Sequence, residues 1–365
     1  LMVLLNKILK RFFIYIIKKL SLEERLASLN KLVNYNVNNS QVKEKIIGYF
    51  IDSLGRKHKL IDGLRDKIKP GWEGSLKKEN YEKIPSNDNI LVQLDHSKSQ
   101  INKLERLMSI HSIEITNKMD ILEIGAANGV ATYQIASKEP QSIVGSDIVQ
   151  YQINQTVTKK KKQQTEEQNI KYINKVRSRI GSFFENKTTD IVSFIENDIC
   201  NSKIDSNSKD LILSWDTLEH LNNPQEAFME MFRILKPGGY TFHEYNPFFS
   251  FNGGHSLCTL DFMWGHVRLS SIDFEKYLKQ FRPSEYELAM KFYKQNLNRM
   301  TTNQLKQYVK TSGFDEVMFF PYIFFENYFE LTEKIFADCK RNYPSLELID
   351  LVSPAFYIGL RKPAS

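Results

Sequence analysis

Cysteine is scarce in this chain. Its 365 residues hold three, Cys200, Cys258 and Cys339. They are odd in number and far apart, without metal-ligand spacing. This argues against a disulfide framework and fits a reducing compartment, with the three as small buried hydrophobes. Long apolar runs are missing too, so no stretch reads as a bilayer crossing. No small-residue cleavage site follows the apolar N-terminal segment, which argues against a secretory signal. The N-terminal third contains no internal repeat. A basic face with interleaved base-stacking aromatics is absent, as is any recognisable nucleic-acid module. The net charge of +7 therefore does not point to nucleic acid.

That charge is uneven. Lysine and arginine concentrate in the first twenty residues and at Lys159 to Lys162. Wound as a helix, residues 1–20 place Lys7, Arg11 and Lys18 on one face, while Leu5, Leu9, Phe12, Phe13 and Ile16 cover much of the remainder. A cationic amphipathic helix of this kind fits an anionic membrane interface. The alternative is docking on its own domain or on a second copy of the chain. The expected location is cytoplasmic, with a peripheral position on the inner face of the membrane left open by this segment.

Residues 21–114 read as a helical N-terminal extension. A capping box at Ser21 to Glu24 opens a helix through about residue 33. A second helix is expected over 42–54, with Val42, Ile46, Tyr49 and Phe50 on one side. Turns at 70–74 and 85–88 interrupt a less regular stretch in which Trp72 reads as a plug. A polar helix over 98–110 completes the extension. From residue 115 to 362 the rhythm changes to strand and helix in alternation, which favours a mainly parallel sheet. Strands are expected at 120–124, 142–146, 191–195, 210–214, 240–244, 317–320 and 355–360. Between them lie helices near 129–138 and 150–179, the second carrying the lysine run on a solvated face. Asn223 with Pro224 and Glu226 opens another, and Thr301 caps a fourth. Residues 246–300 stand out as an aromatic- and histidine-containing insertion.

The stretch ILEIGAANG at 121–129 is a strand, glycine turn and helix start, the arrangement that offers backbone N–H groups to a nucleotide-containing cofactor. Gly125 permits the sharp turn, and Gly129 lets backbone approach the ligand. Asp147 closes the next strand twenty-two residues beyond Gly125, a separation that suits contact with ribose hydroxyls. Ala127 stands where the usual dinucleotide pattern has glycine.

Four ordered segments, ILEIGAANG, SIVGSDI, SFIENDI and DLILSWDTLEHLNNPQEAFMEMFRILKPGGYTFHEYNP, resemble the class I S-adenosylmethionine-dependent methyltransferases. The resemblance covers roughly 115–245 and continues loosely to 362. Its Leu-Glu-His-Leu and Leu-Lys-Pro-Gly-Gly pieces are similar to those of small-molecule members related to the ubiquinone-biosynthetic O-methyltransferases. The resemblance implies a Rossmann-like α/β fold, its seven-stranded sheet having the last strand antiparallel to the rest, with S-adenosylmethionine as cofactor. Glu123 would hold the cofactor's ammonium, and Gly125, Ala127 and Gly129 its methionine portion. Asp147 would take the ribose, and Asp198 or the Ile199 backbone the adenine edge. Ser214 and Trp215 would lie beside it at the end of the fourth strand. Asp198 can equally be a loop cap and Trp215 a core plug.

Histidine is the natural base near neutral pH. His220, His243, His255 and His266 are therefore the catalytic candidates, with His255 favoured because Gly253 and Gly254 can carry its loop over a cleft. Phe248 and Phe249 are expected to line that cleft, and residues 246–300 to select the acceptor. The separations of His243, His255 and His266 match no compact metal motif, so no metal is expected. The function implied is methyl transfer to an oxygen or nitrogen of a small molecule, sugar- or lipid-linked acceptors included. The competing readings are an NAD-dependent oxidoreductase, disfavoured by Ala127, and a non-catalytic cofactor-binding or membrane-associated scaffold. Oligomerisation is left open.

Overall fold

A computed structural model describes residues 45–76, 84–148, 166–323 and 330–364. The expected helices over 1–20 and 21–33, the start of the 150–179 helix and the lysine run lie outside the described residues. The chain divides into two units at Gly48 and Tyr49, and the second is the one with a described core.

Short apolar runs bounded by turns give seven strands in one sheet. They are β3 (Asp120–Ile124), β4 (Ser142–Asp147), β5 (Val192–Glu196), β6 (Lys209–Trp215), β7 (Leu235–Tyr245), β8 (Asp315–Tyr322) and β9 (Ala355–Arg361), in the order β5-β4-β3-β6-β7-β9-β8. Pairs from β5 to β7 are parallel, and β9 runs antiparallel to both β7 and β8. The expected sheet, with its last strand reversed, is the one found. Regular pairing of β7 with β6 begins at Tyr240 opposite Leu211, so Pro237 to Gly239 still act as the turn into that strand.

Strand alternation sorts the apolar side chains to two faces. Ile121, Leu211 and Leu213 pack under α2 (Asn87–Ile110) and α3 (Val130–Ala136). Leu122, Ile124 and Ile212 meet α6 (Pro224–Ile234) and α11 (Thr302–Thr311), numbering from α1 (Leu64–Ile68) and counting α4 (Glu166–Gly181) and α5 (Asn186–Thr189) between them. Phe228 and Met231 of α6 are fully buried, each such side chain contributing roughly 1.5–3 kcal/mol. Helix starts follow the expected chemistry. The Asn223 side chain accepts from Glu226 N before Pro224, and Thr301 with Gln304 forms a reciprocal capping box.

The N-terminal extension departs from its expected form. Residues expected as a helix over 42–54 include β1 (Ile46–Ile51), which pairs with β2 (Lys57–Ile61). The tight turn between them explains it. The Asp52 carboxylate accepts from Leu54 N and Arg56 N at 3.0 and 2.9 Å, and Gly55 takes φ 74°. Phe50 points inward while Ile51 stays exposed, the alternation of a half-buried strand. The helix expected at 98–110 begins earlier, at Asn87, where Ser86 caps it. Trp72 stacks on Arg65, its ring centroid 3.5 Å from the guanidinium, and donates its indole N–H to Asp66 at 2.8 Å. It is only partly covered and belongs to no apolar cluster, so it is not the expected plug.

Residues 246–300 form α7 (His255–Cys258), α8 (Gly265–Arg268), α9 (Ser271–Phe281) and α10 (Tyr286–Gln295). Their aromatic core is shared with Phe50 and Leu60 from the hairpin and with Cys339, Leu346 and Leu351, which flank or belong to α12 (Glu333–Asn342) and α13 (Leu348–Val352). Three distant segments thus build one lobe. No helix among the described residues is long and apolar enough to cross a membrane.

Candidate functional site

The carboxyl ends of β3, β4 and β6 meet beside the glycine turn. Gly125 and Gly129 both have left-handed backbones, φ 76° and 84°. A Cβ on Gly125 would land on the Thr217 side chain, and one on Gly129 would come within 2.5 Å of the Phe194 ring. Thr217 is itself fixed, its hydroxyl donating to the Trp215 carbonyl at 2.8 Å. The turn is therefore held shut by the loop after β6, and only glycine fits.

Glu123 is buried at the end of β3 and accepts a short hydrogen bond from Thr132. Burial, with Asp147 adding to it, pushes its carboxyl up to about 7. Asp147 receives Ala127 N on one oxygen and Ile148 N on the other, both at 2.7 Å. Burial raises this carboxyl as well, against those two bonds and Arg177. Each oxygen keeps further acceptor capacity, since a carboxylate offers about four lone-pair sites. Asp147 opens on a cavity of about 160 Å³ bounded by Ile148, Phe194, Ile195, Glu196 and Arg177. Arg177, from α4, donates to the Ala127 carbonyl through Nε (3.0 Å) and Nη2 (2.7 Å) and stacks on Phe194. An acid able to take two hydroxyls, beside a slot walled by Ile148, Ile170, Ile173 and Ile195, fits the nucleoside half of S-adenosylmethionine. Glu123 at the other end of the turn fits an ammonium.

Beyond Thr217 the β6 loop carries a second set of polar groups. Glu219 is fully buried on the 3₁₀ turn Leu218–His220, and burial followed by Asp216 raises its carboxyl well above the usual range. His255 opens α7 with Nε2 at 4.0 Å from Glu219 Oε1. The His220 and His255 ring centroids are 5.2 Å apart. Burial lowers both imidazoles, so both are neutral at pH 7. Asn298 pins the turn through the Leu218 and Leu221 carbonyls at 2.7 and 3.1 Å. Lys69 lies within electrostatic reach of Asp216 and Glu219, and burial lowers its ammonium.

The profile of the methyltransferase domain family matches residues 100–317. The chain belongs to that family. No functionally curated protein matches it. Among solved structures the methyltransferase is similar to an S-adenosylmethionine-dependent methyltransferase from Mesorhizobium loti, at 10% identity over 73% of this chain and 99% of that one, TM-score 0.41. It is also similar to the YcgJ protein from Bacillus subtilis, at 13% identity over 74% and 100%, TM-score 0.40. A third is a Haemonchus contortus phosphoethanolamine N-methyltransferase, at 16% over 72% and 53%, TM-score 0.42. These are likenesses of fold alone. The seven-stranded sheet and the family together make this a class I S-adenosylmethionine-dependent methyltransferase domain.

Two of the methyltransferase's four candidate histidines lie elsewhere. His243 is buried within the sheet, Nδ1 2.7 Å from Ser214 Oγ and Nε2 2.6 Å from Thr241 Oγ1. Burial takes it down to about 3. With both nitrogens engaged it is a packing residue and is not retained as a base. His266 is likewise buried, its Nε2 2.8 Å from the Phe248 carbonyl and its pKa pushed down by burial to about 4. Phe248 and Phe249 lie in the lobe's core and do not line a cleft. Ser214 is buried against His243, and Trp215 is partly buried against the cluster under α2. Asp198 caps the next turn by accepting from Cys200 N at 2.9 Å, while Ile199 is buried in the core. The cavity beside Asp147 is instead lined by Ile148, Ile195 and Glu196.

Arg177, Thr217 and Lys69 carried no local signal in the sequence. Each reaches the site from a segment remote from the motif it supports. Thr132 was legible in principle, because it lies on the inward face of the helix that follows the glycine turn.

Proposed function

We propose that this methyltransferase passes the methyl group of S-adenosylmethionine to an oxygen or nitrogen of a small, sugar- or lipid-linked acceptor bound beside Asp216, Glu219, His220 and His255. The observation that carries the reading is that Asp216, Glu219 and His220 flank Thr217, which packs against the glycine turn, and that His255 returns to meet Glu219 and His220. When bound, the cofactor supplies an electrophilic methyl on a sulfonium. The acceptor lone pair takes the methyl carbon as the carbon–sulfur bond breaks, and the acceptor's proton leaves. The protein's part is to hold the two partners in line. Asp147, Glu123 and the turn orient the cofactor, and the carboxylates and imidazoles orient a polyhydroxylated or amine-bearing acceptor. Similarity to the ubiquinone-biosynthetic O-methyltransferases rests on the Leu-Glu-His-Leu segment and supports oxygen as the acceptor atom.

Calorimetry on the full chain tests the cofactor assignment. S-adenosylmethionine should bind in the micromolar range, and NAD should not. Asp147→Ala removes charged hydrogen bonds to the ribose and should weaken binding by about 1.5–3 kcal/mol. Selective NAD binding would sink the reading. Unchanged affinity in folded Asp147→Ala would refute the residue.

A lipid-linked acceptor gains support from the cationic, apolar sequence of residues 1–20. Full-length protein should sediment with anionic vesicles more than a chain beginning at Ser21, and salt should weaken the contrast. Equal sedimentation of the two would remove the membrane from the proposal.

A further inference from the structure

Glu219, His220 and His255 form a group whose chemistry methyl transfer by positioning leaves unexplained. Neither oxygen of the buried Glu219 carboxylate is within hydrogen-bond geometry of a partner among the described residues, nor is His255 Nε2. The Glu219 and Asn246 backbone N–H groups face the carboxylate from outside that geometry and offset only part of the cost of its burial. A buried carboxylate without hydrogen bonds is costly unless a proton or cation joins it. Lys69 is the nearby cation, but no ion pair joins it to Glu219 among the described residues. His220 Nδ1 is 2.5 Å from the Asn296 carbonyl. A carbonyl can only accept, so Nδ1 carries the proton and Nε2 the lone pair. Such a backbone contact orients a metal-binding imidazole in many sites.

One ligand atom from each of the three residues lies within 4.8 Å of the others. We infer that Glu219, His220 and His255 bind a divalent first-row transition ion, of the class of Mn²⁺, Co²⁺ or Zn²⁺, at the acceptor end of the cleft. Two imidazoles and one carboxylate are an N/O set suited to such ions, and three protein ligands leave positions open for an exogenous oxygen. The Glu219 and His255 donors are 4.0 Å apart and all three lie within 4.8 Å of one another, so binding at about 2.0–2.2 Å draws the three side chains somewhat closer together. No metal was expected from the sequence, because the spacing of His243, His255 and His266 is not a motif. The structure sets aside two of those three and adds Glu219 and His220.

The inference deepens the methyltransferase reading and rests on it for the ion's role. An acceptor that presents one or two oxygens to the ion has its hydroxyl proton acidified. That proton passes to solvent, the oxygen lone pair takes the methyl carbon, and the carbon–sulfur bond breaks. His220 and His255 then serve as ligands and not as bases.

The test is metal binding by the untagged full-length chain after chelator treatment, with S-adenosylmethionine binding measured in parallel. Co²⁺ titration followed by absorption, and Mn²⁺ titration by calorimetry, should each show one equivalent. His255→Gln and Glu219→Gln should each weaken binding by about 100-fold or more, exceeding the 10–100-fold loss usual for outer-shell changes. Circular dichroism and cofactor affinity report whether each variant is folded. Glu219 is the riskier of the two because it is fully buried. If it fails to fold, His255→Gln alone decides. Folded wild type that binds neither ion, or a folded His255→Gln that binds as wild type does, overturns the proposal. So does a Co²⁺ spectrum dominated by thiolate charge transfer, which would place the ion on Cys200. Cofactor binding without metal binding sinks only this inference. Metal binding without cofactor binding sinks the methyltransferase reading instead.

Discussion

Burial holds Glu123 near neutrality, and this makes cofactor affinity a function of pH. With its carboxyl at about 7, Glu123 is about half ionised at pH 7 and about one-tenth ionised at pH 6. A cofactor ammonium beside it prefers the ionised form. If binding lowers the carboxyl below 5, the association constant should rise about fivefold from pH 6 to pH 7, with nearly one proton released per molecule bound at pH 6. The cofactor's own amino group, whose class titrates at about 7.7–8.0, stays mostly protonated over that interval. Calorimetry in two buffers of different ionisation enthalpy reads both quantities. Glu123→Gln keeps an acceptor for Thr132 but removes the titration, so its affinity should be lower at pH 7 and lack this fivefold rise. An intact slope in the folded glutamine variant would refute the reasoning. Without ligand the sign reverses. The folded state holds the Glu123 proton where the unfolded chain has lost it, so this group's contribution is complete below about 4.5 and is lost as pH rises through 7.

Two further outcomes follow from the geometry. Gly125→Ala forces a side chain into a left-handed backbone and onto Thr217. It should abolish cofactor binding and destabilise the protein by about 1–3 kcal/mol in urea unfolding. Adding Thr217→Ala should recover part of the loss, and no recovery would refute the steric account. His243→Ala orphans the Ser214 and Thr241 hydroxyls and should lower unfolding free energy by about 2–4 kcal/mol. If instead stability holds while single-turnover methyl transfer collapses, His243 is catalytic and its placement as packing is wrong.

The sheet was legible because its interior strands, such as β3 and β6, are short buried apolar runs and the runs are punctuated by glycine, proline and polar turns, so each could be placed within a few residues. β1 was not. Val42, Ile46, Tyr49 and Phe50 fit a helical spacing, and a short apolar run does not separate period 3.6 from period 2. The Asp52 turn that decides it depends partly on Arg56 and His58 beyond the expected helix. Among the site residues, Gly125 and Asp147 were readable because their roles lie in the backbone turn and the strand end. The histidines were not separable. His243 occupies a strand position whose inward direction depends on which face is covered, and His255 meets Glu219 only once the chain has returned over the sheet.

The order of strands in space differs from their order in synthesis, with a consequence for how the chain is made. β9, the last strand, lies between β7 and β8. Until it emerges, β7 presents an unpaired edge, and β8 has no neighbour in the sheet. The aromatic lobe is equally incomplete, lacking Leu346 and Leu351. A nascent chain that ends at residue 317, where the family match ends, therefore carries an open strand edge and an uncovered aromatic surface together. Such edges recruit other chains. Residues beyond 317 thus act as a closing element for the sheet and the aromatic lobe, and a chain without them invites association before it can bind any ligand.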